Sequence, residues 1–182
     1  MIVDAVINHM AAGSSTEQQG TAGTSYSGRS FEPYNYDPNN MHHFDGNTNA
    51  NCEVDDYTSQ QNVQQCDLVG LVDLDTENSS VQDTIAAYIK NMNSLGASGY
   101  RIDAAKHINQ NSISSIISKA PQIYCFQEVI YGAGEPVTPE MYTPFGDVTE
   151  FNFGVDMWNV FKQDSNDQMQ YLTNFGYELT KF

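Results

Sequence analysis

The apolar residues of this chain alternate between short, near-continuous runs and runs with a helical period. Near-continuous runs cover residues 2–7, 98–103 and 123–129, and such runs are typical of strands buried on both faces. Between them, residues 79–95 and 111–119 place apolar side chains at the three- and four-residue spacing of a helix. We therefore predict alternating strands and helices, which indicates a parallel sheet with helical crossovers.

Two further regions complete this pattern. Residues 10–72 show neither period and are rich in Gly, Ser, Asn, Tyr and Asp. A structureless loop of that length is uncommon inside a compact domain, so we interpret it as an inserted subdomain. Towards the end of the chain, residues 148–153 predict one more strand, and residues 155–163 and 166–173 predict helices.

Polar residues stand where the predicted strands end. Asn8 and His9 follow the first strand, Asp103 ends the second and Glu128 lies near the end of the third. In a β/α barrel this edge of the sheet carries the active site. A complete barrel has eight strands and typically about 250 residues, more than this pattern supplies. We therefore expect part of a TIM barrel.

Composition restricts the partners of the protein. The chain has 182 residues, and its 40% hydrophobic content is enough for a buried core. Seven Lys and Arg residues oppose 23 Asp and Glu residues, and the net charge of −16 argues against nucleic acid or an anionic membrane as a partner. No segment approaches the roughly 20 apolar residues of a membrane span. Because the chain begins in a predicted core strand, we expect it to be a piece of a longer protein.

The three cysteines allow one disulfide. Cys52 and Cys66 lie in a polar region, where a bridge would close a short loop and stabilise the fold by roughly 3 kcal/mol. Cys125 lies in an apolar run and is predicted to be a buried thiol. This usage favours an oxidising compartment.

Residues 99–107 contain two of the seven cationic side chains of the protein, on either side of one carboxylate. Arg101 and Asp103 are two positions apart on a predicted strand, so they share a face. A guanidinium beside a carboxylate favours its charged form, as a nucleophile requires. Glu128 has more apolar neighbours in the sequence and no adjacent cation, which suits a proton donor. The pair suggests glycoside hydrolysis, although an isolated Arg-x-Asp is more often a structural ion pair.

Three segments decide between these interpretations. Residues 4–9 (DAVINH), 99–107 (GYRIDAAKH) and 126–130 (FQEVI) resemble, in order, three of the four signature regions of the α-amylase family of retaining glycoside hydrolases. Residues 70–75 (GLVDLD) resemble an additional short motif of that family. The residues of these segments are most similar to those of animal-type members and their bacterial relatives, and the resemblance covers essentially the whole chain.

The resemblance implies a division of the chain and a role for each matching residue. Residues 1–9 would be the third barrel strand, residues 10–72 the inserted, β-rich, calcium-binding subdomain, and residues 73–182 further helix and strand units up to about the sixth strand. Asp103 would be the nucleophile and Glu128 the general acid/base. The residues implied to line sugar subsites are His9, Arg101, Lys106 and His107. Glu135 is either a substrate contact or a solvated loop acid.

The resemblance also implies a structural calcium ion between barrel and insertion. Its ligands would be the side chains of Asn8 and Asp73 and the backbone carbonyls of Gln64 and His107, an oxygen set that suits calcium. Gln64 replaces the arginine of animal-type members. Cys52 and Cys66 match a disulfide pair of that subdomain. Without these motifs, His9 would be interpreted as a structural histidine and Asp73 as a turn residue.

Some family parts have no match in this sequence. They are the fourth signature region with the third catalytic aspartate, the remaining barrel strands and the C-terminal β-domain. Arg101 matches one of three chloride ligands, so chloride stays an open alternative. We expect a secreted, monomeric parent enzyme that hydrolyses internal α-1,4-glucosidic bonds of starch-like glucans with retention, and an inactive isolated chain. The alternatives are a glucosidase or transglycosylase of the same superfamily, and a catalytically silent sugar-binding relative.

Overall fold

The computed structural model describes residues 1–12, 36, 38–42, 44, 52–162 and 168–176. Within these ranges, four parallel strands form the main sheet in the order β1-β4-β5-β6. They are β1 (Ile2–Ala5), β4 (Gly99–Ile102), β5 (Tyr124–Gln127) and β6 (Asp147–Val148). The predicted parallel sheet is confirmed, as an open sheet with β1 and β6 at its edges.

Two helices fill the crossovers of this sheet. Helix α2 (Ser79–Ser94) begins at an Asn78 cap whose side chain accepts from the Ser80 N–H, and helix α3 (Gln110–Lys119) begins at an equivalent Asn109 cap. Both helices pack against the sheet and against each other. Their buried faces contribute Val81, Ile85, Ile89, Ile113 and Ile116 to the core.

A second sheet joins the start of the inserted region to its end. Strand β2 (His9–Ala12) pairs in antiparallel register with β3 (Leu71–Asp73), which brings His9 opposite Asp73. Helix α1 (Gln60–Gln65) lies between them in sequence and contacts the turn that follows β4. Most of the proposed insertion, 13–35 and 45–51 above all, lies outside the described residues, so its expected β-rich character is seen only at this margin.

The predicted strand at residues 148–153 is wrong beyond its first residue. Strand β6 ends at Val148, and helix α4 (Phe151–Lys162) begins three residues later. Glu150 Oε1 accepts hydrogen bonds from the backbone N–H groups of Asn152 and Phe153, and these bonds start the helix. Residues 151–154 (FNFG) alternate as in a strand, but Phe151, Val155 and Trp158 fit a helical period equally well, so the local pattern could not decide between strand and helix.

The last predicted helix is also revised. Residues Met169–Asn174 form a 3-10 helix with a kink rather than the α-helix expected over 166–173. Shorter 3-10 turns occur at Ala105–His107, Pro139–Met141 and Thr143–Phe145. The turn at Ala105–His107 matters most, because it follows β4 and carries two of the expected sugar-binding residues.

Candidate active site

Arg101 is the centre of a charge cluster at the carboxyl edge of the main sheet. Its Nη1 donates to Asp103 Oδ1 at 2.8 Å and also to Asp4, while its Nη2 lies 2.7 Å from Glu128 Oε1. The parallel register places Asp4 beside Arg101 on neighbouring strands. Burial lowers the pKa of Arg101, but the larger, opposite effect of its carboxylate partners raises the pKa above its usual value. The guanidinium therefore stays charged. One cation thus serves three carboxylates.

Asp103 and Glu128 follow two neighbouring strands directly. The backbone N–H of Asp103 donates to Ala5 and that of Glu128 donates to Ile102, so each acid is fixed at the point where its strand ends. Glu128 Oε2 accepts the N–H of Ala104, whose φ of 47° lies in the left-handed region. The prediction that Glu128 has no adjacent cation is wrong, because Arg101 reaches it from the adjacent strand.

His9 stands at the edge of this cluster. Its Nε2 lies 3.9 Å from Asp103 Oδ2, and its Nδ1 faces the Asn8 side-chain nitrogen at 3.2 Å. Burial lowers the pKa of His9, which outweighs the opposite effect of Asp103. We therefore describe His9 as a neutral imidazole near Asp103 rather than as an ion-pair partner, since the contact is long and the ring is buried.

A pocket of about 380 Å³ opens beside Glu128. Its volume suits a small ligand or one or two sugar rings. Of the residues predicted to act on or bind sugar, the pocket contains Glu128, Lys106, His107 and Glu135 in its wall. Asp103, Arg101 and His9 are not part of this wall, but Arg101 links Asp103 to Glu128.

Lys106 is held at the pocket by two neighbours. Its ammonium forms an ion pair with Glu135 and lies 4.8 Å from the centre of the Tyr57 ring. Glu135 also accepts the backbone N–H of Gly132 at 2.8 Å, which closes the loop around it. The side chain of Lys106 is only 6% exposed, and that of Glu135 is 20% exposed. Glu135 is therefore a partner of Lys106 in the pocket wall and not a solvated loop acid.

His107 is buried and neutral. Its Nδ1 donates to the carbonyl of Val63 in α1 at 2.8 Å, which connects the turn after β4 with the inserted region. Burial, helped by the charge of Lys106, lowers the pKa of His107 to about 4, although the hydrogen bond to Val63 acts in the opposite direction. Tyr57 packs edge-on against the imidazole, with ring centres 6.1 Å apart.

Asn8 and Asp73 lie on adjacent segments where the two sheets meet. Both residues are 1% exposed, and the N–H of Leu74 donates to the carbonyl of Asn8. Asp73 Oδ1 is buried and has no hydrogen-bond partner among the described residues. Burial raises the pKa of Asp73 to about 7, against hydrogen bonding by His42. A buried carboxylate oxygen without a partner fits a site for a cation.

The side chain of Gln64 forms hydrogen bonds that connect helix α1 to the turn after β4 and to Tyr142. Its Nε2 donates to Tyr142 Oη at 3.0 Å and to the carbonyl of Ile108 at 3.4 Å. The same Tyr142 hydroxyl lies 2.8 Å from the Ile108 carbonyl and 3.1 Å from that of Lys106. The fully buried Tyr142 thus fixes the turn after β4 to helix α1. Calcium binding by the backbone carbonyl of Gln64 stays a prediction.

Cys52 and Cys66 are adjacent but not bonded. The structure has both as free, buried cysteines, with their sulfur atoms 3.3 Å apart. Residue Cys52 has a φ of 53°, and the N–H of Asp67 donates to its carbonyl at 2.7 Å. The structure therefore contains no disulfide here, and oxidation of this pair stays a prediction. Cys125 is buried, as expected.

The family model for the α-amylase catalytic domain matches residues 1–180. That match covers nearly the whole chain. The chain belongs to the α-amylase family. Because the match is a catalytic domain of the TIM-barrel type, the four-stranded parallel sheet with its crossover helices is part of a barrel.

Similar α-amylases come from bacteria and animals. The α-amylase of Streptomyces violaceus is 39% identical over 178 residues, which is 97% of this chain and 29% of that protein. The α-amylase of the beetle Tenebrio molitor is 36% identical and covers 97% of this chain and 38% of its own length. This chain therefore spans roughly a third of the length of these relatives.

The solved structure of α-amylase I from Eisenia fetida has the same fold. It superimposes with a TM-score of 0.82 at 31% identity, covering 95% of this chain and 37% of that one. A second structure of that enzyme, an E249Q variant, is a complex with maltohexaose and matches equally well. None of the helices that the structure describes here is long and apolar enough to span a membrane.

Sequence reasoning on this α-amylase chain missed several residues of the site. Asp4 lies in one of the family segments, but no role was predicted for it. Tyr57 could not be told apart from the other tyrosines among the 11 in the sequence, and no local pattern indicated a role for Tyr142 or His42. Asp4 could have been found from the register of β1 and β4. The others depend on contacts between residues far apart in the chain, such as Tyr142 with Gln64.

Proposed function

We propose that this chain is the part of an α-amylase that attacks the substrate, and that the whole protein hydrolyses internal α-1,4-glucosidic bonds of starch-like glucans with retention. The observation that carries this proposal is the pair of carboxylates, Asp103 and Glu128, on neighbouring strand ends and bound to one guanidinium. Two carboxyl groups are the minimal machinery of a retaining glycosidase. The pocket beside Glu128 provides room for sugar.

Asp103 is proposed as the nucleophile. A carboxylate oxygen of Asp103 attacks the anomeric carbon of a bound glucosyl unit, and the bond to the leaving oxygen breaks. Arg101 places a positive charge beside Asp103 and fixes its orientation through the 2.8 Å hydrogen bond. His9 restricts the other side of the carboxylate.

Glu128 is proposed to donate a proton to the leaving oxygen and then to take one from the water that releases the sugar. Its Oε1 contacts Arg101 and its Oε2 contacts the Ala104 N–H, so the carboxyl group cannot turn away from the pocket.

Lys106, His107 and Glu135 are proposed as sugar contacts. The buried Lys106–Glu135 pair supplies donors and acceptors at the pocket wall, and the neutral imidazole of His107 can accept a hydroxyl through Nε2. The maltohexaose bound to the Eisenia fetida enzyme is a ligand of the kind we expect here. The role of Arg101 in chloride binding remains an alternative within this proposal.

Calcium is proposed to bind where the two sheets meet. Asn8 and Asp73 would contribute side-chain oxygens, and Gln64 and His107 their backbone carbonyls. The buried Asp73 Oδ1 supports this assignment, and the Asn8 nitrogen, which faces His9, leaves the Asn8 oxygen for the ion. When bound, the ion would neutralise the buried carboxylate and join the inserted region to the barrel.

Three wider expectations belong to the same proposal. The whole enzyme would be secreted and monomeric, and Cys52 and Cys66 would form a disulfide in the oxidising compartment. The division at residues 1–9, 10–72 and 73–182 would separate a barrel strand, the insertion and further barrel units. The isolated 182-residue chain is expected to be inactive, because no segment of it resembles the fourth signature region.

Product analysis with the full-length protein tests the function. Incubation with maltooligosaccharides and soluble starch should release shorter chains from internal cleavage, with the new reducing ends in the α configuration by NMR before mutarotation. Formation of longer transfer products would instead identify a transglycosylase, and release of glucose alone from chain ends a glucosidase. Binding of glucan without any cleavage would identify a silent sugar-binding protein.

A further inference from the structure

We propose a second cation site, distinct from the calcium site, formed by His42, Asp75 and Glu77 and suited to a zinc-class divalent ion. His42 Nε2 lies 2.7 Å from Glu77 Oε2 and 3.2 Å from Asp75 Oδ1. One ligand atom from each residue lies within 4.8 Å of the others. The 2.7 Å contact is a hydrogen-bond distance, so His42 and Glu77 would move slightly apart to bind one ion with bonds of about 2.0–2.2 Å.

The local backbone holds the three residues in place. The N–H of His42 donates to the carbonyl of Asp73 at 3.0 Å, and the N–H of Asp75 donates to the carbonyl of Asn40 at 2.8 Å. These bonds pair the segment around His42 with the one that carries both acids. The turn after Asp75 then brings Glu77 to the same side, immediately before helix α2 begins at Ser79.

Asp73 orients the histidine from behind. Its Oδ2 lies 2.6 Å from His42 Nδ1, and its side chain is 1% exposed. In metal proteins, a carboxylate on one ring nitrogen commonly fixes the tautomer and directs the other nitrogen to the ion. Asp73 therefore has two tasks on two atoms: Oδ2 holds His42, while the buried Oδ1, which lacks a partner among the described residues, remains for calcium.

The donor set decides the kind of cation. Calcium prefers oxygen ligands throughout, whereas an imidazole nitrogen with two carboxylate oxygens suits zinc and similar ions. Burial lowers the pKa of His42, but Asp73 and Glu77 raise it to about 10, so a divalent ion must displace a proton from the imidazole. Two carboxylates then balance the charge of the ion. Asp75 and Glu77 are 30% and 38% exposed at their side chains, so water can complete the coordination. The competing occupant is a proton on His42, held between Asp73 and Glu77.

Cobalt(II) is a suitable probe, because its visible absorption reports the ligands. The 182-residue chain, first saturated with calcium, is titrated with cobalt(II) and then with zinc(II). We expect one cobalt ion per chain with a visible d–d band, displaced by stoichiometric zinc and retained in excess calcium. No band, or displacement by calcium, would overturn the proposal. A thiolate-to-metal charge-transfer band would assign the ion to Cys52 and Cys66 instead, and would also overturn it.

Variants locate the site. His42→Gln and Glu77→Gln should each weaken cobalt binding by at least about ten-fold. Asp83→Asn is the matched control, because Asp83 is an exposed acid on helix α2 and pairs only with Lys119 among the contacts seen. Circular dichroism checks that each variant is folded. Because the Glu77 side chain is exposed, Glu77→Gln should leave the core intact. Parent-like binding in Glu77→Gln would refute the site. Since no step measures glucan hydrolysis, the result is independent of the proposed function.

Discussion

The two charged regions of this molecule neutralise their carboxylates in different ways. At the carboxyl edge of the sheet, Arg101 contacts Asp4, Asp103 and Glu128, and the latter two acids are 24% and 19% exposed at their side chains. Where the two sheets meet, Asp73 is 1% exposed and has hydrogen bonds to only one of its oxygens. The first region shares one guanidinium among its carboxylates, whereas in the second His42 contacts one oxygen of Asp73 and the other oxygen has no partner among the described residues.

This difference corresponds to two different tasks. A nucleophile and a proton donor must be reachable by substrate, so partial exposure and a fixed guanidinium serve them. A structural junction gains most from a buried ion that several segments share, because it stabilises the folded state only when those segments are assembled. The predictions below test whether the two regions are separable in this way.

The largest effect is expected at the sheet edge. Asp103→Asn in the full-length enzyme should lower kcat by about a thousand-fold or more, because the amide cannot attack the anomeric carbon. Calcium binding, measured by titration calorimetry, should be unchanged, since the contacts of the Asp103 side chain among the described residues are with Arg101 and His9. Near-parental turnover in the folded variant would refute the nucleophile assignment.

The next effect concerns the junction. Asp73→Asn should weaken calcium binding by about 100-fold, because it removes the charge of the only buried acid proposed as a ligand. The increase of the unfolding midpoint on adding calcium should shrink accordingly. Asp83→Asn is the control and should behave like the parent. If Asp73→Asn binds calcium as tightly as the parent, the ion lies elsewhere.

A third test concerns the link between the two regions. Tyr142→Phe removes a hydroxyl that contacts Gln64 and the carbonyls of Lys106 and Ile108, all buried. We expect a loss of about 2 kcal/mol in the free energy of unfolding, measured with urea. Tyr124→Phe removes an exposed hydroxyl that contacts Asp147 and should cost less than about 0.5 kcal/mol. Equal losses would show that Tyr142 is not a link.

The last test is a pH dependence. Burial lowers the pKa of His107 to about 4, below its value in the unfolded chain. The unfolded state therefore binds the proton first as pH falls, so stability is full above about pH 6.5 and declines towards about pH 4. The slope from this group is at most about 1.4 kcal/mol per pH unit. His107→Asn can still donate to Val63 but does not titrate, so urea unfolding should show a shallower decline. An equally steep decline would exclude His107 as the cause.

The sequence predicts the sheet edge far better than the junction. Strands β4 and β5 are near-continuous apolar runs, and their acids follow directly, so Asp103 and Glu128 could be placed from local pattern alone. The shared Arg101 partner could not, because it depends on which strands are neighbours. The change from strand β6 to helix α4 before Phe151 was not predicted. The sequence around Phe151 fits both a strand period and a helical period, and the hydrogen bonds that Glu150 accepts favour the helix.

The junction depends on contacts between distant segments. His42 meets Asp73, Asp75 and Glu77 only after the inserted region folds back on the barrel, and Tyr142 meets Gln64 across 78 positions. Family resemblance identified Asn8 and Asp73, but nothing in the local sequence indicated that Asp73 would also hold a histidine. Residues of this kind become visible only in the folded chain.

The central claim is that Asp103 forms the covalent bond to sugar. The most direct measurement uses the full-length Glu128→Gln variant and α-maltosyl fluoride, whose fluoride leaves without a proton donor while the variant lacks the base for release. Mass spectrometry of the digested protein should show a maltosyl adduct on Asp103. An adduct on another residue, or release of fluoride without any adduct, would contradict the mechanism proposed here.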